Sequence, residues 1–198
     1  ADFDKDGDMD FIVGNLGLNY KYQASEEEPF EVFAKDFDDS GSLDIVLGYH
    51  ENGTVFPLRG RECSSNQMPF IKEKFPSYNE YGLADMSSVF GAEDLENSLH
   101  YAATTFATVY VENLGDFKFK PRKIEGIAQF SSVNSILIDD FNKDGNLDVV
   151  LSGNLYQAEI ETPRNDAGFG VLLEGNGKGQ FTSRFSDESG LFVKGDVK

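Results

Sequence analysis

Short runs of apolar residues, many of them β-branched or aromatic, alternate along the chain with polar stretches rich in Gly, Asp and Asn. Runs of this length and composition predict β-strands joined by tight turns. Three of these runs follow an acidic stretch directly, at residues 11–13, 44–47 and 148–151, and residues 32–35 and 136–139 precede one. The pattern therefore predicts an all-β fold in which strand, acidic loop and strand form a repeated unit.

Two further pairs of runs predict β-hairpins. Residues 108–112 lead through a Gly/Asn turn to 117–119, and residues 170–174 lead through a Gly-rich turn to 180–181. Antiparallel four-stranded units repeated in this way are typical of the blades of a β-propeller. We expect residues 1–198 to form a partial propeller of about three to four blades.

Residues 57–100 interrupt the strand pattern. Tyr78, Tyr81 and Val89 recur at roughly helical spacing, as do Leu95 and Leu99. This periodicity predicts one or two short helices. We therefore expect a small helical insertion between strands.

The three acidic stretches are copies of one nine-residue pattern, named here loop one (2–10), loop two (36–44) and loop three (140–148). Positions 1, 3, 5 and 9 carry oxygen-bearing side chains, and position 6 is always Gly. Ca²⁺ takes about six to eight oxygen ligands, which such a loop supplies from these side chains and from the backbone carbonyl of position 7. The residues predicted at these metal-binding positions are Asp2, Asp4, Asp6, Asp8, Asp10, Asp36, Asp38, Ser40, Ser42, Asp44, Asp140, Asn142, Asp144, Asn146 and Asp148.

Two alternative interpretations of these loops were considered. An EF-hand places a bidentate Glu at position 12 between two helices, but Val13, Leu47 and Leu151 occupy that position and the flanking runs predict strands. The second alternative is that the loops are ordinary solvated turns, since Asp, Asn and Gly favour turns without any ion. Three copies in matching context favour the metal-binding interpretation.

The three loops differ in charge. Loop one offers four carboxylates at the side-chain ligand positions, whereas Ser40 and Asn142 introduce neutral groups into loops two and three. Carboxylate count predicts the tightest binding at loop one, but no strand precedes it from residue 2, so we expect it to be frayed. We predict Ca²⁺ at up to three sites, in preference to Mg²⁺. Neutral ligands suit the plentiful calcium outside cells.

Composition limits the partners. The 198 residues carry a net charge of −18 with a pI of about 4.3, which disfavours nucleic acid and anionic membrane surfaces. No apolar run approaches the roughly 18 residues of a membrane-spanning helix, so we expect none. Cys63 is the single cysteine, which excludes an internal disulfide.

The repeated acidic loops resemble those of the FG-GAP/VCBS repeat proteins, which include the integrin α-subunit propellers. The chain most resembles bacterial VCBS-repeat proteins of the ASPIC/UnbV type, and residues 58–65, 129–134 and 161–167 carry that resemblance. It implies a propeller of about seven or eight blades, calcium in the loops between strands, and export to the extracellular or outer-membrane surface of a bacterium. The remaining blades would then come from elsewhere in the protein or from other chains of an assembly.

Motifs for catalysis are lacking in this sequence. It contains no nucleophile elbow, no Gly-rich phosphate loop and no Cys/His zinc spacing, and His50 and His100 are its two histidines. We therefore expect a protein that is not an enzyme. Relatives of the resembled family include adhesins, lectin-like modules and accessory domains. Three functions stay open: a calcium-dependent surface module that binds protein or glycan, a structural subunit of an outer-membrane assembly, and an accessory part of a polysaccharide-degrading enzyme.

Overall fold

The computed structural model describes residues 1–158 and 162–197, and it is mostly antiparallel β-sheet. Glu161, in the third segment of the resemblance, and Lys198, at the end of the predicted propeller region, lie outside the described residues. The strands are β1 (Phe11–Val13), β2 (Phe30–Lys35), β3 (Asp44–Glu51), β4 (Thr54–Pro57), β5 (Leu99–Ala103), β6 (Val109–Asn113), β7 (Phe119–Lys123), β8 (Ser135–Asp139), β9 (Asp148–Ser152), β10 (Val171–Gly175) and β11 (Phe181–Arg184).

Short helices connect or follow some of these strands. They are α1 (Arg61–Gln67), α2 (Phe70–Lys74), α3 (Tyr78–Gly82), α4 (Met86–Phe90), α5 (Ala92–Glu96) and α6 (Ser186–Ser189), with one 3-10 helix at Gly126–Gln129. In the part of the chain that the structure describes, no helix combines the length and apolar character required to cross a membrane.

The chain divides into two compact units. Unit 1 consists of Ala1–Lys21 together with the residues from Phe106 onward, and unit 2 is Tyr22–Thr105. Unit 1 contains sheet A, with strand order β1-β6-β7, and sheet C, with order β11-β10-β9-β8. Unit 2 contains sheet B, with order β4-β3-β2-β5. Neighbouring strands within all three sheets are antiparallel.

The strand–loop–strand unit predicted from the sequence is an antiparallel hairpin. Loop two joins β2 to β3, with Lys35 paired to Asp44, and loop three joins β8 to β9, with Asp139 paired to Asp148. The residue before position 1 is thus paired with position 9 in both hairpins. This pairing holds the two ends of each loop together and forces the seven residues between them into a tight turn.

The core of unit 1 lies between sheets A and C. Apolar side chains from both sheets and from loop one meet there, and the fully buried ones are Phe3, Tyr110, Ile124, Ala128, Val149, Leu151 and Leu173. The Phe3 ring packs edge-on against Phe181, with 5.3 Å between the ring centroids. An apolar residue at loop position 2 therefore fixes an acidic loop to the core.

The core of unit 2 lies between sheet B and the helices. Val46 of β3 packs with buried side chains from four helices, namely Met68, Ile71, Tyr81, Met86, Val89 and Phe90 and their neighbours. Five helices occupy the region 57–100, where the sequence predicted one or two. Local capping divides this region, because Ser77 and Glu80 form a capping box, Asp85 caps α4, and Gly91 with φ 90° separates α4 from α5. The helices supply half of the core of unit 2.

We predict that Leu173→Ala lowers the free energy of unfolding by about 2–5 kcal/mol, because it removes a fully buried side chain and leaves a cavity. Leu137→Ala, in the same sheet at a side chain that is 64% exposed, is the matched control and costs about 1 kcal/mol or less. Urea unfolding followed by circular dichroism measures both. Equal losses in the two variants would contradict the assigned core.

Candidate metal centre

Each loop is closed by a hydrogen bond across the turn. The N–H of the glycine at position 6 donates to the carboxylate of the aspartate at position 1, at 3.2 Å in loop one, 2.7 Å in loop two and 2.9 Å in loop three. The N–H at position 7 donates to the side-chain oxygen at position 5 in all three loops. These bonds curl the backbone around the side chains of positions 1 and 3.

The curl requires left-handed backbone at two positions. The glycines at position 6 have φ of 98°, 83° and 86° in the three loops, in the region that residues with a Cβ adopt only with strain. Position 4 is also left-handed, with φ of 64° at Lys5, 57° at Asp39 and 62° at Lys143. The sequence pointed to the glycine, whereas position 4 carried no such signal because Lys has no preference for this conformation.

The aspartate at position 9 is buried in every loop. Asp10, Asp44 and Asp148 are 1%, 4% and 0% exposed. In each case Oδ2 accepts the N–H of position 2, at 3.1, 3.0 and 3.1 Å. This residue therefore ties the start of the loop to its end.

The other oxygen of the position 9 carboxylate binds a neighbouring element. Oδ1 of Asp10 accepts the N–H of Asn113, and Oδ1 of Asp148 accepts the N–H of Gly175. In loop two, Oδ1 of Asp44 instead accepts from Nε2 of Gln67 in α1. The sequence predicted this aspartate as a metal ligand and did not indicate its second role as an acceptor for the backbone.

Loops one and two bring three carboxylates together. Asp2, Asp4 and Asp10 each offer an oxygen, and these oxygens lie within 4.8 Å of one another. Asp36, Asp38 and Asp44 form the same arrangement in loop two. The clusters therefore contain positions 1, 3 and 9, while the acidic side chain that the sequence predicted at position 5 of loop one is not part of its cluster.

Positions 5 and 7 have other partners. Oδ1 of Asp6 accepts the N–H of Asp8, and Oγ of Ser40 accepts the N–H of Ser42. In loop three Asn142 takes position 3, and its Nδ2 donates to Oδ2 of Asp144 at 3.2 Å. Within the described residues, loop three does not form a cluster of three acidic side chains, because position 3 carries an amide.

One atom of loop one fits a cation directly. Oδ1 of Asp2 is buried and has no hydrogen-bond partner among the described residues, whereas Oδ2 of the same carboxylate accepts the N–H of Gly7. A buried carboxylate oxygen without a partner is unfavourable unless a cation or a donor contacts it. The residues of loop one therefore fit a bound divalent metal ion.

The pKa shifts of two aspartates show how the clusters differ. Desolvation raises the pKa of Asp4 above its usual range, and the charges of Asp10 and Asp6 raise it further. Desolvation alone would also raise the pKa of Asp36, but the N–H groups of Gly41 and Ser40 donate to it and hold its pKa below the usual range. Loop one thus disfavours ionisation where a cation would favour it, and loop two stabilises its charge with backbone donors.

The prediction that loop one is frayed is wrong. Phe3 is 3% exposed and Asp10 is 1% exposed, so the loop is anchored in the core of unit 1. The nitrogen of Ala1 donates to the oxygen of Asp10 at 2.9 Å, and the nitrogen of Asp10 donates to the oxygen of Ala1 at 2.8 Å. Ala1 therefore makes the pairing that Lys35 and Asp139 make in the other two hairpins.

A lysine joins loop one to loop three. The ammonium of Lys5 donates to the backbone oxygen of Gly145 at 3.0 Å and to Oδ1 of Asn146 at 2.8 Å. The side chain at position 7 of loop three therefore points to Lys5, in keeping with a ligand role for its backbone carbonyl alone. The sequence gave no sign of this contact, since the two loops are far apart along the chain.

The two histidines share one buried glutamate. Nε2 of His50 lies 3.2 Å from Oε1 of Glu31, and Nε2 of His100 lies 2.5 Å from Oε2 of the same residue. The ring of His100 also stacks on Phe33, with 4.4 Å between centroids. Glu31 is 7% exposed. These contacts give both rings a structural role in sheet B, and the sequence had not identified Glu31.

Comparison with protein-family models, with curated proteins and with solved structures gives no significant match. The functional argument therefore depends on the residues of this chain.

We predict that Asp148→Ala lowers the free energy of unfolding by about 2–5 kcal/mol, because the N–H groups of Phe141 and Gly175 lose their acceptor in a buried place. Asp166→Ala removes the same charge from an exposed position of unit 1 and is expected to cost less than about 0.5 kcal/mol. Chemical denaturation in the presence of chelator separates this loss from metal binding. A stability loss no larger than that of the control would show that the position 9 carboxylate does not brace the loop.

We also predict that Gly41→Ala destabilises the protein by about 1–2 kcal/mol, the cost of placing a Cβ in the left-handed region. Space is not limiting, since a Cβ at Gly41 would meet no atom within 4 Å. Gly60→Ala is the control, because a Cβ there is equally free of contacts and φ is −64°. Thermal unfolding of both variants measures the difference, and an unchanged Gly41→Ala protein would refute the loop geometry.

Proposed function

We propose that this chain is a non-catalytic, calcium-binding part of a β-propeller that binds protein or glycan at a bacterial cell surface. The observation that carries the proposal is the pair of carboxylate clusters at positions 1, 3 and 9 of loops one and two. Loop three belongs to the same group of sites through its shared backbone hydrogen bonds, with one amide ligand in place of a carboxylate.

The donor set favours Ca²⁺ over other ions. All side-chain ligands are carboxylate, amide or hydroxyl oxygens, which suit hard cations, and the clusters contain no His or Cys. Ca²⁺ accepts irregular coordination, whereas Mg²⁺ requires a near-ideal octahedron and retains several waters. Asp2, Asp4 and Asp10 would hold the ion in loop one, and its charge would offset the repulsion that raises the pKa of Asp4.

The sheets support the propeller architecture. Blades of a propeller pack face to face, so each sheet is apolar on both sides. Sheet A places Ile12 and Tyr110 in the core shared with sheet C, while Phe11, Val13 and Phe119 on its other face are 50%, 45% and 48% exposed. This second apolar face suits a further blade.

Sheet B has the same property. Its inner face packs on the helices through Val46, and its outer face carries Ile45, Leu99 and Tyr101, which are 54%, 55% and 63% exposed. Large exposed apolar faces favour association with other sheets or chains. They also favour the second candidate function, a structural subunit of an outer-membrane assembly.

The surface location and the class of partner come from the resemblance to the FG-GAP/VCBS proteins. That resemblance rests on the three acidic loops and on the segments at 58–65, 129–134 and 161–167. The engagement of both histidines by Glu31 agrees with a non-catalytic role.

We predict that about 1 mM Ca²⁺ raises the unfolding midpoint by about 5 °C or more relative to chelator, because an ion that binds only the folded state stabilises it by RT ln(1 + [L]/Kd). Mg²⁺ at the same concentration is expected to give a smaller shift. Differential scanning calorimetry measures both midpoints. The absence of a shift with either metal would identify the loops as ordinary acidic turns.

Matched variants assign the shift to loop two. Asp38→Asn removes a carboxylate of the cluster, and it should reduce the calcium-dependent part of the shift. Asp39→Asn removes the same charge from the next residue, which is exposed and lies outside the cluster. Asn also tolerates the left-handed backbone at this position. The shift in Asp39→Asn should equal that of the unmodified protein, and an equal loss in both variants would point to general charge screening.

A further inference from the structure

The strand that follows each loop has a characteristic place in its sheet. After loop two, β3 lies between β2 and β4, and after loop three, β9 lies between β8 and β10. After loop one, β1 pairs with β6, and no other strand of the described residues lies beside it. The edge of β1 therefore corresponds to the edge that β2 and β8 cover in the other sheets.

The hydrogen bonds of Ala1 identify the groups on this edge. Ala1 and Asp10 exchange two backbone hydrogen bonds, which is the narrow pair of an antiparallel ladder. Backbone N–H and C=O groups alternate between the two sides of a strand, so Ile12 directs its pair to the same side as Asp10. Phe11 and Val13 direct theirs toward β6. Ile12 therefore presents one donor and one acceptor to the open edge.

The covered edges show which side chains fit there. Opposite residues 149–151, β8 presents the apolar residues 136–138, and opposite residues 45–47, β2 presents the apolar residues 32–34. Three successive apolar residues are needed because both faces of these sheets are apolar. At β1 the same requirement holds, since Ile12 packs on the core while Phe11 and Val13 remain half exposed on the other face.

The opposite edge of sheet A differs. The edge strand β7 contains Pro121 between Lys120 and Lys123, and proline and lysine are residues that prevent further strand pairing. By contrast, β1 contains neither a charged residue nor a proline. Sheet A is therefore protected at β7 and open at β1.

We propose that the edge of β1 is a docking site for an extended polypeptide strand with three successive apolar residues, which adds antiparallel to sheet A. The central apolar residue lies opposite Ile12 and exchanges two backbone hydrogen bonds with it, and its neighbours lie opposite Phe11 and Val13. The site depends on backbone geometry and on apolar contact, so it does not require that the loops bind calcium.

A peptide tests this site on the intact chain. The probe is fluorescein-Lys-Lys-Ser-Ile-Leu-Ile-amide, which copies residues 135–138 behind two solubilising lysines. In the proposed register its Leu lies opposite Ile12. N-methylation of that Leu removes the donor that faces Ile12, whereas N-methylation of the last Ile removes a donor that points away from β1. The two methylated peptides have equal composition and form a matched pair.

Fluorescence anisotropy measures the three affinities. We expect the unmodified peptide to bind, methylation of Leu to weaken binding about tenfold or more, and methylation of the last Ile to change it by less than about threefold. Absence of binding, or equal weakening by both methyl groups, would overturn the proposal.

Hydrogen exchange provides a second readout that locates the site. The amide of Ile12 should exchange at least about tenfold more slowly with bound peptide, whereas the amide of Phe11, already directed toward β6, should change little. An unchanged Ile12 amide would overturn the site. Protection of Ile12 that rises with protein concentration in the absence of peptide would instead identify a second copy of this chain as the occupant and would overturn the proposed partner.

Discussion

The carboxylate at the ninth position of each acidic loop is the interaction on which the rest of the structure depends. Asp10, Asp44 and Asp148 are almost fully buried, and each accepts the backbone N–H of the second loop residue. A buried charge is tolerated only when donors surround it. The bonds therefore fix where each loop begins and ends, and the second oxygen of each carboxylate ties that loop to a neighbouring strand or helix.

The same constraint creates the candidate metal sites. Once position 9 is fixed inside the loop, the carboxylates at positions 1 and 3 must curl toward it, and their charges repel. Loop two relieves this repulsion with backbone donors to Asp36, whereas loop one leaves Oδ1 of Asp2 without a partner and Asp4 with a raised pKa. The loop that is richest in carboxylates is thus the one that gains most from a cation.

The two units use one strand–loop–strand element in different settings. In unit 1 two sheets pack on each other, and the aromatic residue at loop position 2, Phe3, enters the core that they share. In unit 2 the place of a second sheet is taken by five short helices, which cover the face that carries Val46. An apolar sheet face needs a covering layer, and either a sheet or a set of helices supplies it.

The sequence by itself determined the local elements: the β-branched runs gave the strands, the Asp/Gly pattern gave the loops, and the helical spacing after residue 57 gave helices, because these signals act between residues close along the chain. Only the tertiary structure decided that position 9 is a buried backbone acceptor, that Lys5 reaches loop three, and that Glu31 holds both histidines. Those contacts join residues distant in sequence, and no local periodicity records them. The order of loop one was misjudged for the same reason, since its anchor is the burial of Phe3 in a core built mainly by residues beyond 106.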